Sequence, residues 1–315
     1  MVDLISQEYD IVARYQGGNN AGHTVKNERG KFVLNLLPSG ILRSNVVCVM
    51  GNGMVIDPHH LDGEINKLRE QGIEITPANL KISDRATITM PYHVEQDGLE
   101  EARLSKTGAQ FGSTKRGIAY AYGDKYMKKT LRMGDLLHLD DAVKKRLVTM
   151  WIPRIWSWRA ATTQRPSAWT RCGHGWKSMP PSSRTISAMW GSIWPMPMQP
   201  ARRYCLRHSW VPCAISTLVS TLHHLLQRHR CLCTIGAGIP GHKLNNSIGV
   251  MKAYSSCVGD GPFAAELAMT EEEKHALREA GHEYGAATGR PRRVGPIDLV
   301  ASATACSARA ATRSL

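Results

Sequence analysis

Over residues 1 to 150, short apolar runs alternate with breaks rich in Gly, Asn and Pro. DIVARY (10–15), FVLNLL (32–37) and NVVCVMG (45–51) read as strands of a sheet covered on both faces, because each is continuously apolar and bounded by turn residues. Between Asp57 and Gly72 the period changes to that of a helix. Asp57 is placed to cap it, Pro58 takes the first helical position, Leu61, Ile65 and Leu68 form the buried stripe, and Gly72 supplies a left-handed residue after its end. A second punctuated helix opens at a Thr270–Glu273 capping box and is expected to close at Gly281. Regular patterning resumes near Cys233 or Thr234 and stops near Ser302, which leaves 303–315 as a tail that is either disordered or out of frame.

Residues 151–233 break the pattern. The chain carries a formal charge of +14, yet residues 1–150 hold 20 Lys/Arg against 18 Asp/Glu and residues 234–315 hold 9 against 8. The intervening 83 residues hold 11 Lys/Arg and no acid, together with all eight Trp and five of the eight Cys. Globular domains average about a quarter charged residues of both signs. A stretch with no carboxylate, no amphipathic period and no turn chemistry is expected to be irregular and reads like translation in a wrong frame.

The charge and the Trp residues interleaved with Arg raise the alternative of a basic nucleic-acid binder, or of a fragment without function; the segment shows no fold of its own to carry the former. Cys172, His174, Cys205, His208, His223, His224, His229, Cys231 and Cys233 match no zinc-ligand spacing. No apolar window of about 18 residues occurs and the opening MVDLISQEYD is acidic, so neither a membrane span nor a secretory signal is predicted. A cytoplasmic location without disulfides is expected.

Three segments carry candidate chemistry. In GGNNAGHT (17–24) several residues that tolerate positive φ precede a lone His23; the stretch can be an ordinary turn, a cradle of backbone N–H groups for an anion, or a loop that shuttles a proton. KTGAQFGSTKRGIAYAYGDK (106–125) spaces Ser113, Thr114, Lys115 and Arg116 with glycines, which suits a phosphate or a solvated surface loop. In GAATGRPRR (285–293), Thr288 and Gly289 precede Arg290, Arg292 and Arg293, whose guanidiniums suit bidentate recognition of carboxylate or phosphate.

These three segments, with LLPSGIL, NGMVIDPHHLDGEI, ISDRATITMPYH, YGDKYMKKTLRMGDLL, GVMKAYSSCVGDGPFAAEL and REAGHEYG, resemble the adenylosuccinate synthetase family in order and approximate spacing. The resemblance spans residues 2 to about 150 and 234 to about 302. It implies an α/β fold with a mixed, mainly parallel central sheet of the GTP-binding, P-loop NTPase-like type, incomplete here. It implies a homodimer in purine biosynthesis that uses GTP and Mg²⁺ to join IMP to L-aspartate: O6 of IMP is phosphorylated, and the aspartate amino group then displaces phosphate.

Carried over residue by residue, the resemblance makes His23 the catalytic acid for phosphoryl transfer and the Gly22 carbonyl a Mg²⁺ ligand. Asn20, Ala21, Gly22, His23, Thr114, Lys128, Val258 and Arg290 would meet IMP, and Thr288, Gly289, Arg290 and Arg292 would form the aspartate and GTP loop. Departures accompany it. The family's phosphate loop precedes the residues matching Val2 to Leu4, and the chain as given opens after it; GIGP is replaced by GIAY (117–120), Lys128 stands where the family has Arg, and the family's middle segments have no counterpart in 151–233. Little or no ligase activity is expected of the chain as written.

Overall fold

The structure is a computed structural model that describes residues 2–108, 112–137, 140–149, 204–207, 233–239, 248–249, 252–257, 263–285, 289–300 and 313–314. The described residues group into two compact units. One comprises residues up to 100, those from 115 to 207, and 236–238; the other comprises 101–114, 233–235 and those from 239 onward.

In the first unit, after a short helix α1 (Val2–Ile5), the chain lays down β1 (Ile11–Arg14), with β4 (Val47–Met50) and β6 (Leu80–Ile82) on one side of it and β8 (Tyr204–Arg207) on the other. All four strands run parallel, with Ile11 opposite Val47 and Tyr204. Every position of β1 is buried, the signature of a parallel strand covered on both faces. Val12 faces the main core with Cys48, Met50, Leu80 and Ile82, while Ile11 and Ala13 face the opposite side with Val49. Residues 204–207 come from the acid-free run expected to be irregular, yet they complete one edge of this sheet; the rest of 151–203 and 208–232 lies outside the described residues.

Helix α2 (Pro58–Glu70) forms where its punctuation predicts. The Asp57 side chain accepts from the backbone N–H groups of His59 and His60, Pro58 occupies the first turn, and Gly72 follows at φ +80°. Leu61, Ile65 and Leu68 enter the main core.

The expected strand 32–37 forms differently. It stops at Leu34 as β3 (Gly30–Leu34) and pairs antiparallel with β2 (His23–Asn27) in a separate two-stranded ribbon. The NERG stretch at 27–30 closes that hairpin, and Leu36 and Leu37 bury as a connection into the core. A short parallel pair, β5 (Val55–Ile56) with β7 (Thr87–Ile88), follows the sheet. Helices α3 (Pro91–Ser105) and α4 (Ile118–Tyr126) flank the segment read as phosphate-suited.

The second unit holds β9 (Ile248–Gly249), β10 (Tyr254–Cys257), α5 (Glu271–Gly281), β11 (Arg293–Pro296) and β12 (Arg313–Ser314). Strands β10 and β11 pair antiparallel, and β9 pairs with β12. The capping box forms, with the Thr270 hydroxyl accepting from the Glu273 N–H. Gly281 is still helical, however: the left-handed residue is His282 at φ +48°, whose N–H satisfies the carbonyls of the last turn. Cys48, Cys233 and Cys257 are buried and Cys205 is half-buried. Among the described residues no helix is long and apolar enough to cross a membrane.

Candidate functional site

The turn between β1 and β2 is held by side chains that local patterning does not reveal. Arg14, the last residue of β1, is wholly buried; its guanidinium donates to the carbonyls of Gln16, Gly18, Asn35 and Leu36. Gly17 adopts φ +94°, and its N–H donates 2.8 Å to the Tyr122 hydroxyl, which in turn donates 2.9 Å to the Gly53 carbonyl. The Gly17 carbonyl accepts from Val55. Gly18 is needed for space, since a Cβ there would stand 2.9 Å from the Val55 carbonyl oxygen.

The next residues line the turn. The Asn19 amide reaches the Asp57 carboxylate at 3.4 Å, and Asn35 donates 2.7 Å to the Ala21 carbonyl while its Oδ1 meets His60. Asn19 and Asn20 each keep a buried Oδ1 with no hydrogen-bond partner among the described residues. Such an acceptor carries a desolvation cost of about 1–3 kcal/mol that a ligand N–H or O–H recovers. Gly22 is exposed, and His23 is half-buried as the first residue of β2. The turn is therefore a rigid backbone cradle with two open acceptors beside an imidazole.

Helix α4 supplies Lys125, whose ammonium donates 2.6 Å to the Asn52 carbonyl. Burial, aided by the charge of Arg132, pulls this lysine down to about 8. Burial likewise pushes the Tyr122 phenol far above its usual range. Beneath α4, His93 accepts the Met90 N–H at Nδ1 and faces the Asp124 carboxylate at 2.9 Å through Nε2, a fully buried pair that Tyr92 also joins. Lys128 lies just past the helix at φ +60°, exposed beside exposed Tyr126 and Met127.

The 112–117 segment is anchored by acids of α3. Glu101 accepts from the N–H groups of Gly112 and Ser113 at 2.6 and 3.2 Å, and Asp97 accepts from Gly117 at 2.8 Å. Those backbone donors are thus committed. Thr114 remains half-buried between them.

In the second unit the arginine loop is pinched at its base. Gly285 N–H donates to the Arg290 carbonyl, Gly289 N–H to that of Gly285, and Arg292 N–H to that of Glu283. Gly289 takes φ +66°, and Arg290 is exposed at the tip. Thr288 and Val258 lie outside the described residues. Burial works to raise the Glu283 carboxyl, but hydrogen bonds from Lys252 and Tyr254 outweigh it and hold the group below the usual carboxylate range. Burial and the same bond push Tyr254 up to about 12.

A family model described as adenylosuccinate synthetase matches residues 1–155 and 228–314. The adenylosuccinate synthetase of Caldanaerobacter subterraneus subsp. tengcongensis is 36% identical over 311 residues, covering 95% of this chain and 69% of that protein. The same enzyme of Thermoanaerobacter sp. (strain X514) is 37% identical over 306 residues, with 95% and 69% covered. The chain belongs to the adenylosuccinate synthetase family. The solved structure of the fully ligated adenylosuccinate synthetase from Plasmodium falciparum aligns with a TM-score of 0.65 at 25% identity, over 97% of this chain and 70% of that one.

Family membership makes this a GTP-dependent ligase that forms a C–N bond, and it accounts for the parallel α/β sheet as one of P-loop NTPase-like type. The comparisons give no support to a nucleic-acid-binding reading of the basic charge. Sequence patterning located the turn and the arginine loop; it missed Arg14, Glu101, Tyr122 and Glu283, which shape them. A buried-strand run ending in Arg, and a Glu closely following a helix end, were the available signals.

Proposed function

We propose that the Asn19–His23 turn receives IMP and the arginine loop receives L-aspartate, in the GTP-dependent formation of adenylosuccinate. The observation that carries this reading is the pair of buried, open Oδ1 acceptors of Asn19 and Asn20, on a backbone fixed at Gly17, Gly18 and Ala21, next to His23. His23 acts as the acid that supports transfer of the GTP γ-phosphoryl group to O6 of IMP. Phosphorylation converts a poor leaving oxygen into phosphate, which the aspartate amino group displaces. Thr114 and Val258 contact IMP, and Thr288, Gly289, Arg290 and Arg292 hold the aspartate and nucleotide side.

Mg²⁺ usually takes one or two carboxylates together with substrate phosphates and water. Among the described residues no group of three or more His, Cys, Asp or Glu side chains could hold a metal, so such an ion would be held largely by substrate phosphates and water, with the Gly22 carbonyl as one protein oxygen.

The exposed end of α4 favours a homodimer, with Lys128 offered to a second copy from beside Tyr126 and Met127. Lys128 keeps a charge but not the planar fork of an arginine. A cytoplasmic setting goes with membership of a biosynthetic enzyme family. Turnover by this chain is expected to be little or none, since the family model matches nothing between 156 and 227.

Calorimetric titration of the full chain with IMP, paired with a turnover assay on IMP, GTP and aspartate, tests the reading. IMP binding that Asn20→Ala weakens, with little turnover, is the expected result. Absence of IMP binding defeats the site; turnover near that of intact relatives defeats the expectation of low activity.

A further inference from the structure

Glu283 stands where α5 hands over to the arginine loop, and its side chain is only 3% exposed. Both carboxylate oxygens are engaged. Oε1 accepts from the Lys252 ammonium at 2.5 Å and from the Tyr254 hydroxyl, and Oε2 accepts from Arg292 Nη1 at 3.0 Å. Its backbone is engaged too. The Glu283 carbonyl accepts the Arg292 N–H at 2.8 Å, its N–H donates to the Arg278 carbonyl, and Arg278 Nε donates to the Arg292 carbonyl at 3.0 Å. Glu283 and Arg292 are therefore the two feet of the loop, joined through main chain and side chain at once.

This arrangement leaves the loop's arginines in distinct states. Arg293 is committed to Glu266 at 2.6 Å and lies over the Phe263 ring. Arg292 is half-committed: Nη1 is pinned by Glu283, while Nε is buried and has no hydrogen-bond partner among the described residues. A guanidinium pinned at one nitrogen loses rotational freedom before a ligand arrives, so less entropy is lost in each bond it then makes. The pin does not abolish attraction for an anion, because one carboxylate faces both Lys252 and Arg292 and leaves a net positive charge at the base of the loop.

We propose that Glu283 is a positioning residue for the reaction: it fixes the Arg292 guanidinium and the base of the loop so that Arg290 and Arg292 meet the dicarboxylate substrate at a set separation. It acts through Arg292 and does not touch substrate. The proposal rests on the reading of this loop as the aspartate site, and its test separates the two.

Three variants of the full chain, Glu283→Gln, Glu283→Asp and Lys252→Met, are compared by amide hydrogen exchange and by titration with L-aspartate in the presence of IMP. Losing the charge-assisted bond to Arg292 in Glu283→Gln should speed exchange at Gly285, Gly289 and Arg292 roughly tenfold, and weaken L-aspartate binding by a similar factor. Protection in α5 and affinity for IMP should hold. Glu283→Asp should restore part of both effects, and Lys252→Met should leave the loop amides protected.

Unchanged loop exchange in Glu283→Gln overturns the proposal. So does loss of protection that spreads through α5 and the β10–β11 pair, which would make Glu283 a general stability residue, or a Lys252→Met effect equal to that of Glu283→Gln. If exchange changes as expected while the unsubstituted chain does not bind L-aspartate, the positioning role stands and the assignment of the substrate falls.

Discussion

Arg14 and Glu64 grip the same short connection from opposite chemical sides, sharing Asn35 and Leu36. The Arg14 guanidinium takes the carbonyls of Asn35 and Leu36, and the Glu64 carboxylate takes the N–H groups of Asn35, Leu36 and Leu37 at 2.8 to 3.2 Å. Arg14 ends a sheet strand and Glu64 lies on α2, so the connection between them serves as their common partner. Since Arg14 also takes the Gly18 carbonyl and Asn35 takes that of Ala21, the same grip sets the backbone of the candidate IMP turn.

Arg14→Met should therefore be among the most damaging single changes in the first unit. It strips a charged donor from buried carbonyls, each bond to a charged group being worth about 1.5–3 kcal/mol. Glu64→Gln, which turns one acceptor into a donor facing N–H groups, should cost about 1–3 kcal/mol. Chemical denaturation of both variants checks this, and midpoints equal to that of the parent chain would show that water replaces these side chains freely.

Tyr122→Phe keeps the ring and removes the hydroxyl that links Gly17 to Gly53. A stability loss of about 1 kcal/mol is expected, with faster amide exchange at Gly17 and weaker IMP binding. Tyr122 does not titrate in the accessible range because burial holds its phenol protonated. The effect should thus be the same from about pH 6 to about pH 9, because the group stays neutral throughout, and a loss that appeared only at high pH would contradict it.

Two glycines with similar backbone angles should respond differently to alanine. Gly72 has φ +80° and open space around a would-be Cβ, whereas Gly117 has φ +70° and would place one 2.5 Å from the His93 carbonyl carbon. Gly72→Ala should cost only the left-handed penalty of about 1–2 kcal/mol. Gly117→Ala adds a backbone overlap and should cost about 3 kcal/mol or more. Equal melting temperatures for the two variants would refute the packing around Gly117.

Lys125 predicts a slope of stability with pH. Its value in the folded chain, about 8, lies below its ordinary 10.5, so between these the unfolded chain binds the additional proton and stability rises with pH. Below about 8 the cost of the buried charge is fully present. Lys125→Met should remove this contribution, so the variant's advantage over the parent is largest near pH 7 and shrinks toward pH 10, on the order of the ~2-unit window over which the linkage acts. Parallel stability curves for the two chains would rule it out.

Local patterning sufficed wherever the interaction closes within a few residues. The Asp57 cap, Pro58, the Leu61–Ile65–Leu68 stripe and the Thr270–Glu273 box each depend on neighbours one to seven positions away, and their residue types name their roles. The α5 end shows the limit of even that rule, because His282 takes the left-handed angle that Gly281 was expected to supply. The apolar run 32–37 likewise reads as one strand, but Glu64 and Arg14 capture the backbone groups of 35–37 and end β3 at Leu34.

The sequence by itself determined the family, the strands β1 and β4, the capped helices and the two glycine-bearing loops, because composition and spacing are local properties. Only the tertiary structure decided what those loops present: which N–H groups Glu101 and Asp97 already occupy, which carbonyls Arg14 holds, and that Glu283 ties Arg292 to Lys252 and Tyr254. The reason is physical. A buried charge must find its partners wherever the fold brings them, often tens of residues away, and nothing in the intervening chain marks the pairing.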